Sequence, residues 1–188
     1  MSRRHTVIRS LHDVGAAAWF GGSLMGAIGL NGASRAVTDP TDRTPVASAG
    51  WMRWAPVSAA AISAHLIGGL GLVIANRDRV QSQAGVTANT TVKAVLTAAA
   101  LGTTAYSGVL GSTIAKAGKI PADSGVVPSA GTPAEVATAQ QQLRALQWAT
   151  PALVAVIIAL GAQQGEQQRP AEVVSGVGAK LVRRRARA

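Results

Sequence analysis

His12, His65 and Tyr106 are the residues whose types could do chemistry within the apolar part of this 188-residue chain. An imidazole can ligate a metal or a haem iron, relay a proton, or act only as a hydrogen-bonding group. His65 lies about 11 residues into an uncharged stretch, a depth at which ionisable side chains cost several kcal/mol and turn toward the interior of a helix bundle. Tyr106 falls at nearly the same depth of another such stretch, with Thr103, Thr104 and Ser107 beside it. A neutral His65 bonded to Tyr106 or a threonine is the plainest expectation. His12 stands near the start of the first stretch, next to Asp13 and one turn after Arg9, and Arg9 and Asp13 have the i, i+4 spacing of a helical ion pair. These positions predict heights for His12 and His65 that differ by about 13 Å, too far for both to ligate one iron without a large tilt or a register shift.

The elements that must carry these residues are visible as four stretches without Asp, Glu, Lys or Arg, at 14–34, 54–76, 94–115 and 145–165. Each matches the roughly 20 residues a helix needs to cross the hydrocarbon of a bilayer. The expected fold is all-α: a polytopic membrane protein whose four transmembrane helices form an up-down bundle. Its domain covers 1–168, with spans at about 9–32, 54–76, 92–116 and 143–164, followed by a basic cytoplasmic tail at 169–188. Gly15, Gly22, Gly26 and Gly29 share one helical face with His12 and Trp19, while Gly69 and Gly102 belong to similar stripes in the second and third helices. Small residues of this kind let helix backbones approach closely. Trp51 and Trp54 flank Arg53 at the expected entrance to the second span, where indoles favour the membrane interface. The connector 116–133 holds Pro121, Gly125, Pro128, Gly131 and Pro133 and reads as an ordered loop or irregular cap. After it, Thr132-Pro133-Ala134-Glu135 reads as a helix start with Thr132 as the N-cap, and Pro151 should kink the helix that follows.

The net charge is +10, and there is no cysteine, which excludes disulfides, thiolate metal sites and cysteine catalysis. The basic residues sit at span ends and in the tail, where anionic lipid headgroups are their natural partners rather than nucleic acid. Arg183, Arg184, Arg185 and Arg187 are the candidate headgroup-binding residues. Four spans put both termini on one side together with the connector 77–93, the side richer in Lys and Arg, hence cytoplasmic. Arg outnumbers Lys and Ala is abundant, which suggests a bacterial source and so the inner membrane. Ser2-Arg3-Arg4 is similar to a twin-arginine signal, but three more apolar stretches follow, so the first helix is expected to be retained. No HExxH, GxxxxGK[ST] or GxSxG pattern occurs, and an enzyme is not expected.

At Leu11-His12 followed by Trp19-Phe20-Gly21-Gly22 the first helix resembles the opening helix of copper-resistance D-type membrane proteins and related small four-helix families. The resemblance implies a bacterial inner-membrane bundle linked to copper or haem b handling, with His12 and His65 as the only candidate ligands; Tyr106 is a further cofactor-site candidate by its depth alone. Three methionines and no cysteine depart from the soft donors that Cu(I) favours. The first expectation for function is a non-enzymatic membrane subunit or scaffold without a cofactor, packing as a homo-oligomer or within a larger membrane complex. A haem- or copper-associated protein is the alternative, and a small transporter the third.

Overall fold

The computed structural model describes residues 5–77 and 84–166. These residues are helical almost throughout. Helix α1 (Thr6–Met25) passes through one turn of π-helix (Gly26–Leu30) into the short α2 (Asn31–Arg35), and α3 (Arg43–Ala75) and α4 (Ala84–Lys116) follow. A two-stranded antiparallel hairpin, β1 (Ala122–Ser124) and β2 (Val127–Pro128), leads to α5 (Ala134–Glu166). Among the described residues three helices are long and apolar enough to cross a membrane: Arg43–Ala75, Gly85–Lys116 and Ala134–Gln163. In their most apolar windows only 17%, 11% and 28% of residues are buried in the protein, so Ile67, Ile74, Val95 and Val109 turn outward. Water does not solvate such surfaces well, whereas lipid does.

The uncharged stretch of the first helical run straddles the π turn and ends in Asn31 and Ser34, which are buried among polar partners. Three long apolar helices plus this N-terminal run therefore stand where four equivalent spans were expected. Two helices begin earlier than the expected spans, α3 at Arg43 rather than 54 and α4 at Ala84 rather than 92, whereas α5 begins at Ala134, within the helix start read at Thr132-Pro133-Ala134-Glu135. The physical reason is that charge marks the limits of hydrocarbon, not of helix. Arg43, for example, uses its guanidinium to cap the carbonyls of Val37 and Ala122 at 3.0 and 3.2 Å, outside any apolar window.

Helices α1 and α3 pack antiparallel, as do α4 and α5, and the first pair meets the second mainly through α1 and α5. Trp19 carries this junction: it is 1% exposed, shares a core with Ala16, Ala100 and Val154, and donates its indole N–H to Thr104 Oγ1 at 3.2 Å. Contact between α3 and α4 is slight. At the far end the hairpin closes a cap. Ser34 Oγ accepts from the Gly125 N–H at 3.0 Å, Gln140 Nε2 donates to Ser124 O at 3.2 Å, and Asn31 Nδ2 donates to Gln147 Oε1. Thr132 is not the N-cap of α5. Its hydroxyl donates to Pro121 O at 2.6 Å and accepts from the Ser129 N–H at 2.8 Å, so the connector claims it first. The expected tail residues Arg183, Arg184, Arg185 and Arg187 lie outside the described residues.

Candidate functional site

The same four-residue pattern, His-x-x-Gly, occurs in α1 as His12 to Gly15 and in α3 as His65 to Gly68, and the two copies face each other. A Cβ on Gly15 would lie 2.5 Å from both Ala61 O and His65 N. A Cβ on Gly68 would lie 2.4 Å from His12 N and 2.7 Å from Ile8 O. Each glycine thus admits the backbone that bears the other helix's histidine, the closest kind of helix approach. The approach is what brings the side chains into register. His12 Nδ1 lies 3.1 Å from His65 O, His65 Nδ1 lies 3.2 Å from His12 O, and the rings stack with centroids 4.2 Å apart and planes inclined by 20°. Trp19 closes one side, its ring edge-on to His65 at 6.0 Å.

A carbonyl only accepts, so each bonded Nδ1 carries a ring proton, and an imidazole so bonded can offer a lone pair only at Nε2. That lone pair lies in the ring plane. A metal ligated by Nε2 would therefore sit at the edge of the stack, and one iron cannot be held between the two faces. The expected height difference of about 13 Å between His12 and His65 does not hold. It assumed that the uncharged windows of the two helices align, whereas glycine seating sets the register. The bis-histidine clamp fails for another reason, the stacked geometry itself.

The partner of His65 is His12, not Tyr106 or a threonine. Tyr106 is half exposed on the α4–α5 face and donates to Gln142 Oε1 at 2.7 Å. The glycine stripes divide in the same way. Gly22 and Gly26 receive the indoles of Trp54 and Trp51, with would-be Cβ contacts of 2.1 Å in each case, and so seat side chains rather than a helix backbone. Gly69 lies against the His12 ring, Gly29 against Met25 of its own helix, and a Cβ on Gly102 would meet nothing within 4 Å.

The slight contact between α3 and α4 leaves a cleft of about 950 Å³ with the histidine pair in its floor. Leu66, Leu70, Leu101 and Ile157 line its walls, and Arg9, Asp13 and Lys93 gather at its charged end. His65 is 2% exposed and His12 half-buried. Arg9 and Asp13 stand one turn apart on α1, as their spacing required, and α4 brings Lys93 to the same cleft. The repeated His-x-x-Gly pattern was the available signal for Gly68. Among the described residues no three His, Cys, Asp or Glu side chains converge as a metal site would require. No protein family, curated protein or solved structure matches the chain.

Proposed function

We propose that this chain is a four-span membrane protein with both termini cytoplasmic, acting as a non-enzymatic binding subunit that holds a small amphipathic molecule between its two helix pairs. The observation that carries the reading is the cleft. At about 950 Å³ it has the size of a ligand site, with apolar walls, a few converging polar groups and a buried imidazole pair. Bundles in membranes place such sites between helices, and ionisable groups at this depth cluster around them. For topology, alkaline phosphatase fused after Gly125 should be active and fused after Ala188 inactive; the reverse would overturn the orientation. For the cleft, native mass spectrometry of protein extracted from membranes should show a retained small molecule. Ala98→Trp, placed in the cleft wall, should expel it, whereas Val109→Trp on the outward face of α4 should not. Equal retention in both variants would remove the cleft as the site.

One observation favours a second reading, the haem- or copper-associated protein. Metal-bound histidines commonly donate their remote ring N–H to a backbone carbonyl, as both Nδ1 atoms are placed to do here. Through Nε2 a single imidazole could ligate one metal, and Arg9 lines the same cleft. An absorbance spectrum and metal analysis of detergent-purified protein test this. A Soret band or bound copper that disappears in His65→Gln or His12→Gln would establish it, and a colourless, metal-free preparation from haem- and copper-replete cells would remove it.

A further inference from the structure

We infer that the molecule held in the cleft is an uncharged, membrane-soluble alcohol or phenol whose hydroxyl donates to His12 Nε2. The inference rests on the cleft being a binding site and adds the chemistry of what it holds. Hydrogen-bond polarity is the first argument. Each Nδ1 faces a carbonyl, so its proton is committed there and only Nε2 remains for a ligand. Two imidazolium rings with centroids 4.2 Å apart would set like charges face to face, and a charged ring within hydrocarbon costs several kcal/mol. The resting pair is therefore neutral, with its lone pairs on Nε2. A lone pair in an apolar cleft bonds only to a donor, which a hydroxyl supplies and an ether, ester or ketone does not.

Access is the second argument. Both histidines line the cleft, but His65 is 2% exposed whereas His12 is half-buried. The His12 ring rests on Gly69, where a Cβ would lie 3.2 Å from Nδ1 and 3.4 Å from Cε1. That edge is closed by α3, and of the two ring nitrogens Nε2 is the one outside the seat. Depth is the third. Trp19 bonds to Thr104, the middle of the uncharged stretch of α4, which places that level near the bilayer centre. His12 precedes Trp19 by seven residues, about 10 Å along a helix, short of the roughly 15 Å half-thickness of the hydrocarbon. Water competes little for a hydrogen bond at that depth. Leu66, Leu70, Leu101 and Ile157 take the apolar remainder of the molecule, which enters from the bilayer because α3 and α4 scarcely touch.

The test uses the full-length protein in detergent with para-decylphenol and its methyl ether, which differ only in the donor, read by native mass spectrometry. The phenol should bind about fivefold more tightly than the ether. His12→Phe should bring the phenol down to the level of the ether and leave the ether unchanged, a pattern that misfolding cannot imitate, whereas His65→Gln should keep the preference. A second pair, dodecanol and its methyl ether, tells the two kinds of hydroxyl apart: a preference in both pairs supports any hydroxyl, and one confined to the first supports a phenol. Equal binding of phenol and ether, with both lost in Ala98→Trp, would overturn the hydroxyl while leaving the cleft as a site. Tighter binding of the ethers would overturn it by showing that Nε2 does not accept. A preference that survives His12→Phe but disappears in Asp13→Asn would overturn it in favour of the carboxylate. Binding of none of the four would overturn this inference by itself, while the cleft would still stand or fall with the molecule retained from membranes.

Discussion

Gly68→Ala should be among the most damaging single-methyl additions in the chain, although alanine is the better helix former. The added Cβ would meet His12 N at 2.4 Å, Ile8 O at 2.7 Å and His12 Cα at 2.8 Å, all backbone atoms that cannot swing aside. To restore ordinary contact α1 and α3 must part by about 1 Å, at a cost of about 1–3 kcal/mol for overpacking. The same displacement would stretch the two imidazole–carbonyl contacts, now 3.1 and 3.2 Å, beyond hydrogen-bonding reach. If each contributes about 0.5–1.5 kcal/mol, the loss sums to about 2–6 kcal/mol. Gly15→Ala meets Ala61 O and His65 N at 2.5 Å and should behave alike. Since one separation relieves both clashes, the double variant should lose clearly less than the sum of the singles. Gly22→Ala should cost less, because Trp54 is half-buried and can turn. Gly102→Ala, facing open space, should be neutral or stabilise by up to about 1 kcal/mol. Unfolding in mixed micelles followed by helical circular dichroism ranks the four. If Gly68→Ala falls within about 0.5 kcal/mol of Gly102→Ala, the His-x-x-Gly seating is wrong.

Three further outcomes follow from individual contacts. His65→Gln retains an N–H that can reach His12 O and should unfold within about 1–2 kcal/mol of the parent, whereas His65→Leu leaves that contact unmade and should lose more in the same assay. Asn31→Leu strands the buried Gln147 amide in the cap and should cost about 1–3 kcal/mol, with protease cutting in the connector 117–133 as a second readout. The Asp39 carboxylate accepts the Thr41 N–H and hydroxyl, each at 2.8 Å, and these bonds hold its pKa below the ordinary 3.8. A depressed folded pKa means that its contribution is complete above pH 3.8 and disappears as the pH falls through the folded value. The carboxyl carbon titration should therefore have its midpoint below 3.8, and Thr41→Ala should raise it; a midpoint at or above 3.8 would refute the turn.

The helical class and the long apolar helices were legible because a run without charge over 20 residues has few other uses in a folded chain. The connector after Lys116 was legible as an ordered cap from its prolines and glycines, and it forms the β1–β2 hairpin, with Ala122, Ser124 and Val126 buried. The start of α3 was not legible from charge, since Arg43 continues that helix beyond its apolar window, whereas the start of α5 was legible from Pro133, Ala134 and Glu135, well before its own window. The roles of the glycines were mixed on the page. A wheel shows that Gly15, Gly22 and Gly26 share a face, but not that the first meets backbone and the other two meet indoles. Nor could the π turn at Gly26–Leu30 be read, because its extra residue leaves no compositional mark.

The histidine pair shows how local packing overrides the simplest alignment of spans. Aligning the uncharged windows would set residue 24 of the first helix opposite His65 of α3, whereas His12 occupies that place and Gly26 lies against Trp51. The two windows are thus offset by about 12 residues, or 18 Å. Such an offset draws charge toward the hydrocarbon from both ends. Arg53 is exposed near the cap side and has a side chain long enough to reach the interface. Asp13, six residues before Trp19 and about 9 Å from its level, has no such reach. It lines the cleft instead, where its charge acts on Lys93. The close fit of Gly15 and Gly68 therefore carries Asp13 along α1 into the cleft between α3 and α4, whose lining also includes Arg9 and Lys93.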